Sequence, residues 1–215
     1  MRPILIIAAL IAFIGLAAIA QQITAPSSLY QNDFQNVMPG TLPEDFKVLS
    51  GEFAVEAEGD NRFLELSVGH VNSFGVLFGP EHGAPMAMQA RVRSSLTGKR
   101  FPEFGIGLGG VGGYRLWLMP IVQEIQIRQG DSTLARAPFT WTSGTWTSMR
   151  LELNQAGDGR WQIGGKAWPQ GATEPAEWTI RHEATAAPTA GRAVLWATPY
   201  SEKPIQFDDV RIEAR

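Results

Sequence analysis

Between Glu103 and Arg128 the sequence gathers side chains suited to holding a sugar. If Tyr114, Leu116 and Leu118 of the segment Tyr114–Met119 point inward, then Arg115, Trp117 and Met119 point outward. Adjacent segments add Glu103, Glu124, Gln126 and Arg128, and an earlier strand adds Gln89 and Arg91. An aromatic plane stacks on the apolar side of a pyranose, while carboxylate, amide and guanidinium groups make directional bonds to hydroxyls. Trp117 is then the expected stacker, with Gln89, Arg91, Glu103, Arg115, Glu124 and Gln126 as hydrogen-bonding partners. Its replacement by alanine is expected to remove binding and spare stability. The competing account is a solvated sheet face with one Trp under a loop, because seven Trp in 215 residues are mostly core.

The segment Gly105-Ile106-Gly107-Leu108-Gly109-Gly110 contributes to that face. Its glycines share one side of a strand and Phe104, Ile106 and Leu108 the other, so a bulky group or ligand can approach the backbone. As a string it also matches the dinucleotide fingerprint. That mechanism needs a following helix to hold a pyrophosphate, and here Val111-Gly112-Gly113 leads into another strand.

Other chemistries find less support. The absence of Cys removes disulfides, thiolate metal sites and cysteine nucleophiles. His182-Glu183 begins like a zinc-protease motif but has Ala186 where the second His belongs, and His70, His82 and His182 share no ligand spacing. There is no nucleophile elbow, P-loop or EF-hand loop. Asp33, Asp208 and Asp209 are the candidate ligands for a structural calcium, since paired Asp at a sandwich end can supply hard oxygens. The alternative is that Asp208 or Asp209 caps a turn. No other cofactor is expected. A net charge of -3 argues against a nucleic-acid partner.

The elements that position these residues are strands. Met86–Arg93, Gln123–Arg128, Thr147–Leu153 and Gln206–Ile212 alternate apolar and polar, and Phe53–Glu56 and Arg62–Leu66 flank a turn at Glu58-Gly59-Asp60-Asn61. About a dozen such segments recur at 8–12-residue spacing, and no sustained helical period follows residue 20. With 23 Gly, 14 Pro and 44% hydrophobic residues, a loop-rich chain with one sizeable core is indicated. The fold class read from this is all-β: one two-sheet antiparallel β-sandwich.

Residues 1–20 differ from the rest. Arg2, the apolar run Ile4–Ala20 and the small-x-small site Ala18-Ile19-Ala20 have the anatomy of a signal peptide. An uncleaved anchor is the other reading, although seventeen residues reach only about 25 Å as a helix. The expected organisation is a signal helix over 1–20, a polar leader over 21–31 and one sandwich domain over 32–215. The protein is expected to be exported, periplasmic or secreted, touching a membrane only through residues 1–20.

The segments Asp33-Phe34, Leu42–Phe46, Gly51–Val55, Gly113–Leu116, Gly144–Leu151, Lys166–Trp168 and Phe207–Val210 resemble the concanavalin A-like jelly-roll superfamily. Within it they resemble in particular the secreted bacterial laminin-G-like and 3-keto-disaccharide hydrolase-like domains. The resemblance implies a jelly-roll fold and, in its hydrolase branch, glycoside cleavage. The glucanase pattern E-x-D-x-x-E is not met: Glu58-Gly59-Asp60 starts it, but Phe63 stands at its last place. The function read is a non-catalytic domain binding a carbohydrate or related extracellular ligand. A glycoside-cleaving enzyme is one rival. The other is an envelope protein-interaction module, with Trp141, Trp161, Trp168 and Trp178 exposed in one patch.

Overall fold

The computed structural model describes residues 27–68 and 72–215, which form two antiparallel sheets packed face to face, without a helix. The seven-stranded sheet runs β10 (Ser132–Pro138), β9 (Glu124–Gln129), β8 (Tyr114–Met119), β7 (Glu103–Leu108), β14 (Gly191–Thr198), β5 (Phe74–His82), β2 (Lys47–Ser50). The eight-stranded sheet runs β13 (Ile180–Ala184), β12 (Trp161–Pro169), β11 (Thr147–Gln155), β6 (Met86–Arg93), β15 (Ile205–Ala214), β4 (Asn61–Leu66), β3 (Phe53–Glu58). A further strand, β1 (Ser28–Asn32), pairs with the last half of β15. Ser28–Gln31, read from the sequence as leader, therefore belong to the sandwich. The apolar run expected to be a signal peptide or anchor lies outside the described residues. No helix among the described residues is long and apolar enough to cross a membrane.

Alternation decides which residues make the core. Phe104, Ile106, Leu116, Leu118, Ile125 and Ile127 of the seven-stranded sheet meet Met88, Val92, Met149, Leu151, Ile163 and Phe207 of the other, all essentially inaccessible. The hairpin expected at Glu58–Asn61 is present: Glu58 pairs with Asn61 across Gly59-Asp60, with Gly59 at φ +60. This turn also explains why the partial glucanase string carries no catalytic geometry. After β6 the chain crosses from one sheet to the other before starting β7. That crossing separates the residues proposed from the sequence as one site.

Candidate functional site

The outer face of the seven-stranded sheet is organised in cross-strand rows. One row of successive partners is Gly75, Trp196, Gly105, Trp117, Gln126 and Arg136. Tryptophan and glycine alternate over four strands, and the indoles lie on the glycines. A Cβ on Gly105 would stand 2.7 Å from Trp117 Cε3, and one on Gly75 would stand 2.8 Å from Trp196 Cζ3. Trp117, Val194 and Trp196 thus make a second apolar cluster outside the main core, with Leu77 and Met119 packed on it.

The next row is Leu77, Val194, Gly107, Arg115, Arg128 and Thr133. Arg115 and Arg128 are direct partners on β8 and β9. The Arg115 guanidinium lies 4.0 Å from the centre of the Trp196 ring, and that of Arg128 lies 5.9 Å from the Trp117 ring. Arg115 Nη2 donates to the Val111 carbonyl at 2.7 Å. Four N–H groups of this face are buried without a hydrogen-bond partner among the described residues: Arg115 Nε, Arg128 Nε, Trp117 Nε1 and Trp196 Nε1.

Electrostatics reflect the crowding. Burial, then the like charge of Arg128, pulls Arg115 below the usual arginine range, while Asp131 opposes them. Burial pushes the Glu103 carboxyl up, against the neighbouring Trp117 indole and Arg128. The indole lies close enough to Glu103 to have that effect, yet it makes no hydrogen bond of acceptable geometry and stays an unused donor. Gln126 is committed: its Nε2 donates to Glu124 at 2.7 Å and its Oε1 accepts from Thr133 at 3.4 Å.

Five of the seven expected ligand-binding residues, Glu103, Arg115, Trp117, Glu124 and Gln126, share this face. The other two do not. Gln89 and Arg91 are on β6, on the outer face of the eight-stranded sheet, because the chain changes sheets after Arg93. Trp117 faces outward as the alternation predicted, but it is 3% exposed and lies flat over Gly105 instead of presenting its ring. Stacking by an upright Trp117 is therefore replaced by an indole floor that carries guanidinium groups. Sequence reasoning missed Trp196. The signal was the unbroken apolar run Ala193–Ala197, which marks a strand covered on both faces.

Asp208 and Asp209 occupy a bulge in β15, where the register slips between Asp208 and Arg211. Their cation is Arg91, 2.7 Å from Asp208 and 2.9 Å from Asp209. Asp33 accepts from the Gln35 amide and, with Asp209, borders a pocket of about 200 Å³. The described residues contain no group of three or more His, Cys, Asp or Glu arranged to hold a metal. The four tryptophans of the interaction reading do not form one patch. Trp161 is in the main core, Trp168 is buried, Trp141 packs on Phe104, and Trp178 lies on Gly164 of the opposite sheet. A cavity of about 920 Å³ lies elsewhere, between Gly51, Leu66 and Phe74, and none of the described residues that line it carries a buried unpaired donor.

The chain matches no protein-family model and no curated protein. It is similar to a solved Bacillus subtilis protein of unknown function with a galectin-like fold, at TM-score 0.60 and 10% identity over 88% of this chain and 98% of that one. Carbohydrate-binding module CBM66 from Bacillus subtilis aligns at TM-score 0.57 and 10% identity, over 79% of this chain and 96% of that one. The Emp46p carbohydrate recognition domain in its metal-free form aligns at TM-score 0.58 and 10% identity, over 86% and 94%. At such identities the likeness establishes the fold alone, a two-sheet β-sandwich of the galectin-like kind.

Proposed function

We propose that this domain is a non-catalytic glycan-binding module that works through the outer face of the seven-stranded sheet. The observation that carries the reading is the convergence there of four buried, unpartnered N–H donors around an indole floor. Buried donors without partners cost stability, and a ligand that completes them is one physical reason for a fold to keep four together on one face. The fold adds weight, because CBM66 and the Emp46p domain, named for carbohydrate binding, share it. Export, expected from residues 1–20, would bring the face to extracellular or envelope polysaccharide.

The test is a glycan array probed with the purified protein and two variants. Arg115→Gln is expected to abolish binding, and Gln89→Ala, on the opposite sheet, to leave it unchanged. Loss with Gln89→Ala but not with Arg115→Gln would move the site to the other face, and no binding on any glycan would end the reading. A hydrolytic reading has one observation in its favour. Glu103 on β7 and Glu124 on β9 both face outward with β8 between them, so their backbones are about 9.5 Å apart along the sheet, a spacing at which two carboxyls can flank one glycosidic bond. Release of reducing ends that Glu103→Gln removes would assign glycoside cleavage to this face.

A further inference from the structure

Arg115 and Arg128 are unusual within their own molecule. They sit directly opposite each other on neighbouring strands, an arrangement of like charges that costs stability unless something offsets it. Neither forms an ion pair among the described residues. Arg128 makes no hydrogen bond there, and Arg115 makes one, to the Val111 carbonyl. On the eight-stranded sheet, Arg91 Nε and Arg211 Nε also lack hydrogen bonds, but they face carboxylates at 2.9 and 3.7 Å.

The nature of the unused groups narrows the ligand. All four are donors, and two belong to indoles that are 3% and 6% exposed, Trp117 and Trp196. The one amide, Gln126, already has a partner on each end. A neutral sugar brings hydroxyls that must donate as well as accept, and no charge to offset two cations. A carboxylate accepts only, and its two oxygens match a guanidinium fork.

We propose that Arg115 and Arg128 form a carboxylate clamp, so that the face takes an acidic, uronate-type polysaccharide. This rests on the glycan-binding reading and specifies its ligand. Bulk attraction does not explain such binding, since the chain carries a net charge of -3. Glu103 and Glu124 on the same face repel an anion seated away from the pair, which restricts where the uronate lies.

The test uses affinity electrophoresis of the full chain against polygalacturonate and alginate, each beside its carboxyl-reduced, neutral counterpart. At least one polyuronate is expected to retard the protein, with binding weaker by roughly tenfold or more after carboxyl reduction. Arg128→Gln is expected to weaken it by a similar factor, with an unchanged thermal midpoint as the folding control. Dextran sulfate separates the clamp from polyanion binding: equal retardation by it, insensitive to Arg128→Gln, would overturn the assignment. Equal binding to a polyuronate and its reduced form would overturn the clamp and leave glycan binding standing. Failure with all four polymers, with neutral glycans still bound on the array, would also overturn the clamp alone. Failure on the array as well would overturn both. The polymer comparison needs no variant, so it decides even if Arg128→Gln does not fold.

Discussion

On the outer face of the eight-stranded sheet, arginines are tied down by carboxylates. Arg91 holds Asp208 and Asp209, and Arg93 meets Glu58 at 2.6 Å. Arg150 meets Glu213 at 2.9 Å, and Arg215 meets Glu152 at 2.9 Å. Trp146 lies between Arg91 and Arg93, 4.8 and 4.9 Å from their guanidinium carbons. On the outer face of the seven-stranded sheet the same two residue types meet again, Arg115 with Trp196 and Arg128 with Trp117, but neither arginine is ion-paired to a carboxylate among the described residues, although Glu103 lies near enough to Arg128 to feel its charge. Arginine stacked on tryptophan is thus a neutral fact about either surface. What separates a structural face from a binding face here is whether the charge is answered from within the chain.

The largest way to break that comparison is Arg91→Gln. Asp208 is fully buried, and burial already raises its carboxyl despite Asn61 and Arg91. Without Arg91 an unpaired charge stays inside, and a loss of about 3 kcal/mol is expected, or roughly 6–12 °C in thermal midpoint. Differential scanning calorimetry measures it, and an unchanged midpoint would make the ion pair incidental. Gly105→Ala comes next. Its Cβ would meet the Leu116 carbonyl at 2.6 Å and Trp117 at 2.7 Å, so about 1–3 kcal/mol should be lost, with a change in tryptophan emission as the indole lifts. Arg128→Gln is expected to be small: it removes one of two opposed like charges, so stability should hold or rise by less than about 1 kcal/mol. A loss comparable to that of Arg91→Gln would erase the distinction between the faces.

The smallest effect is a pH dependence at Glu103. Its folded pKa is raised, so above the unfolded carboxyl value the native state holds a proton that the unfolded chain has released. Unfolding free energy therefore falls as pH rises through that window, from about pH 4 upward. Glu65 and Glu152, raised by burial too, act in the same direction. Glu103→Gln should flatten the decline, and chemical denaturation across that range would reveal an unchanged slope if the carboxyl is not perturbed.

Much of this fold was legible because period-two alternation is local. Tyr114–Met119 and Thr147–Leu153 show their inward sides in the sequence, and the structure agrees. Which strands share a sheet is not local. Gln89 and Arg91 look like neighbours of Glu103, yet the crossing after Arg93 sends them to the opposite face. Exposure was equally hidden. Nothing in Tyr114–Met119 says that Trp117 lies down, because the glycine that lets it do so, Gly105, is on another strand. The Gly105-x-Gly107 spacing did announce a close approach; the approaching groups are the chain's own indoles.

The most direct test of the binding face is an indole-resolved ¹⁵N–¹H titration of the protein with trigalacturonate. Trp117 and Trp196 Nε1–H, now unpartnered, should shift progressively and saturably, while Trp146 and Trp178 on the other sheet stay fixed. Shifts confined to Trp146 and Trp178 would contradict the choice of face, and no shift at any indole would contradict the carboxylate clamp.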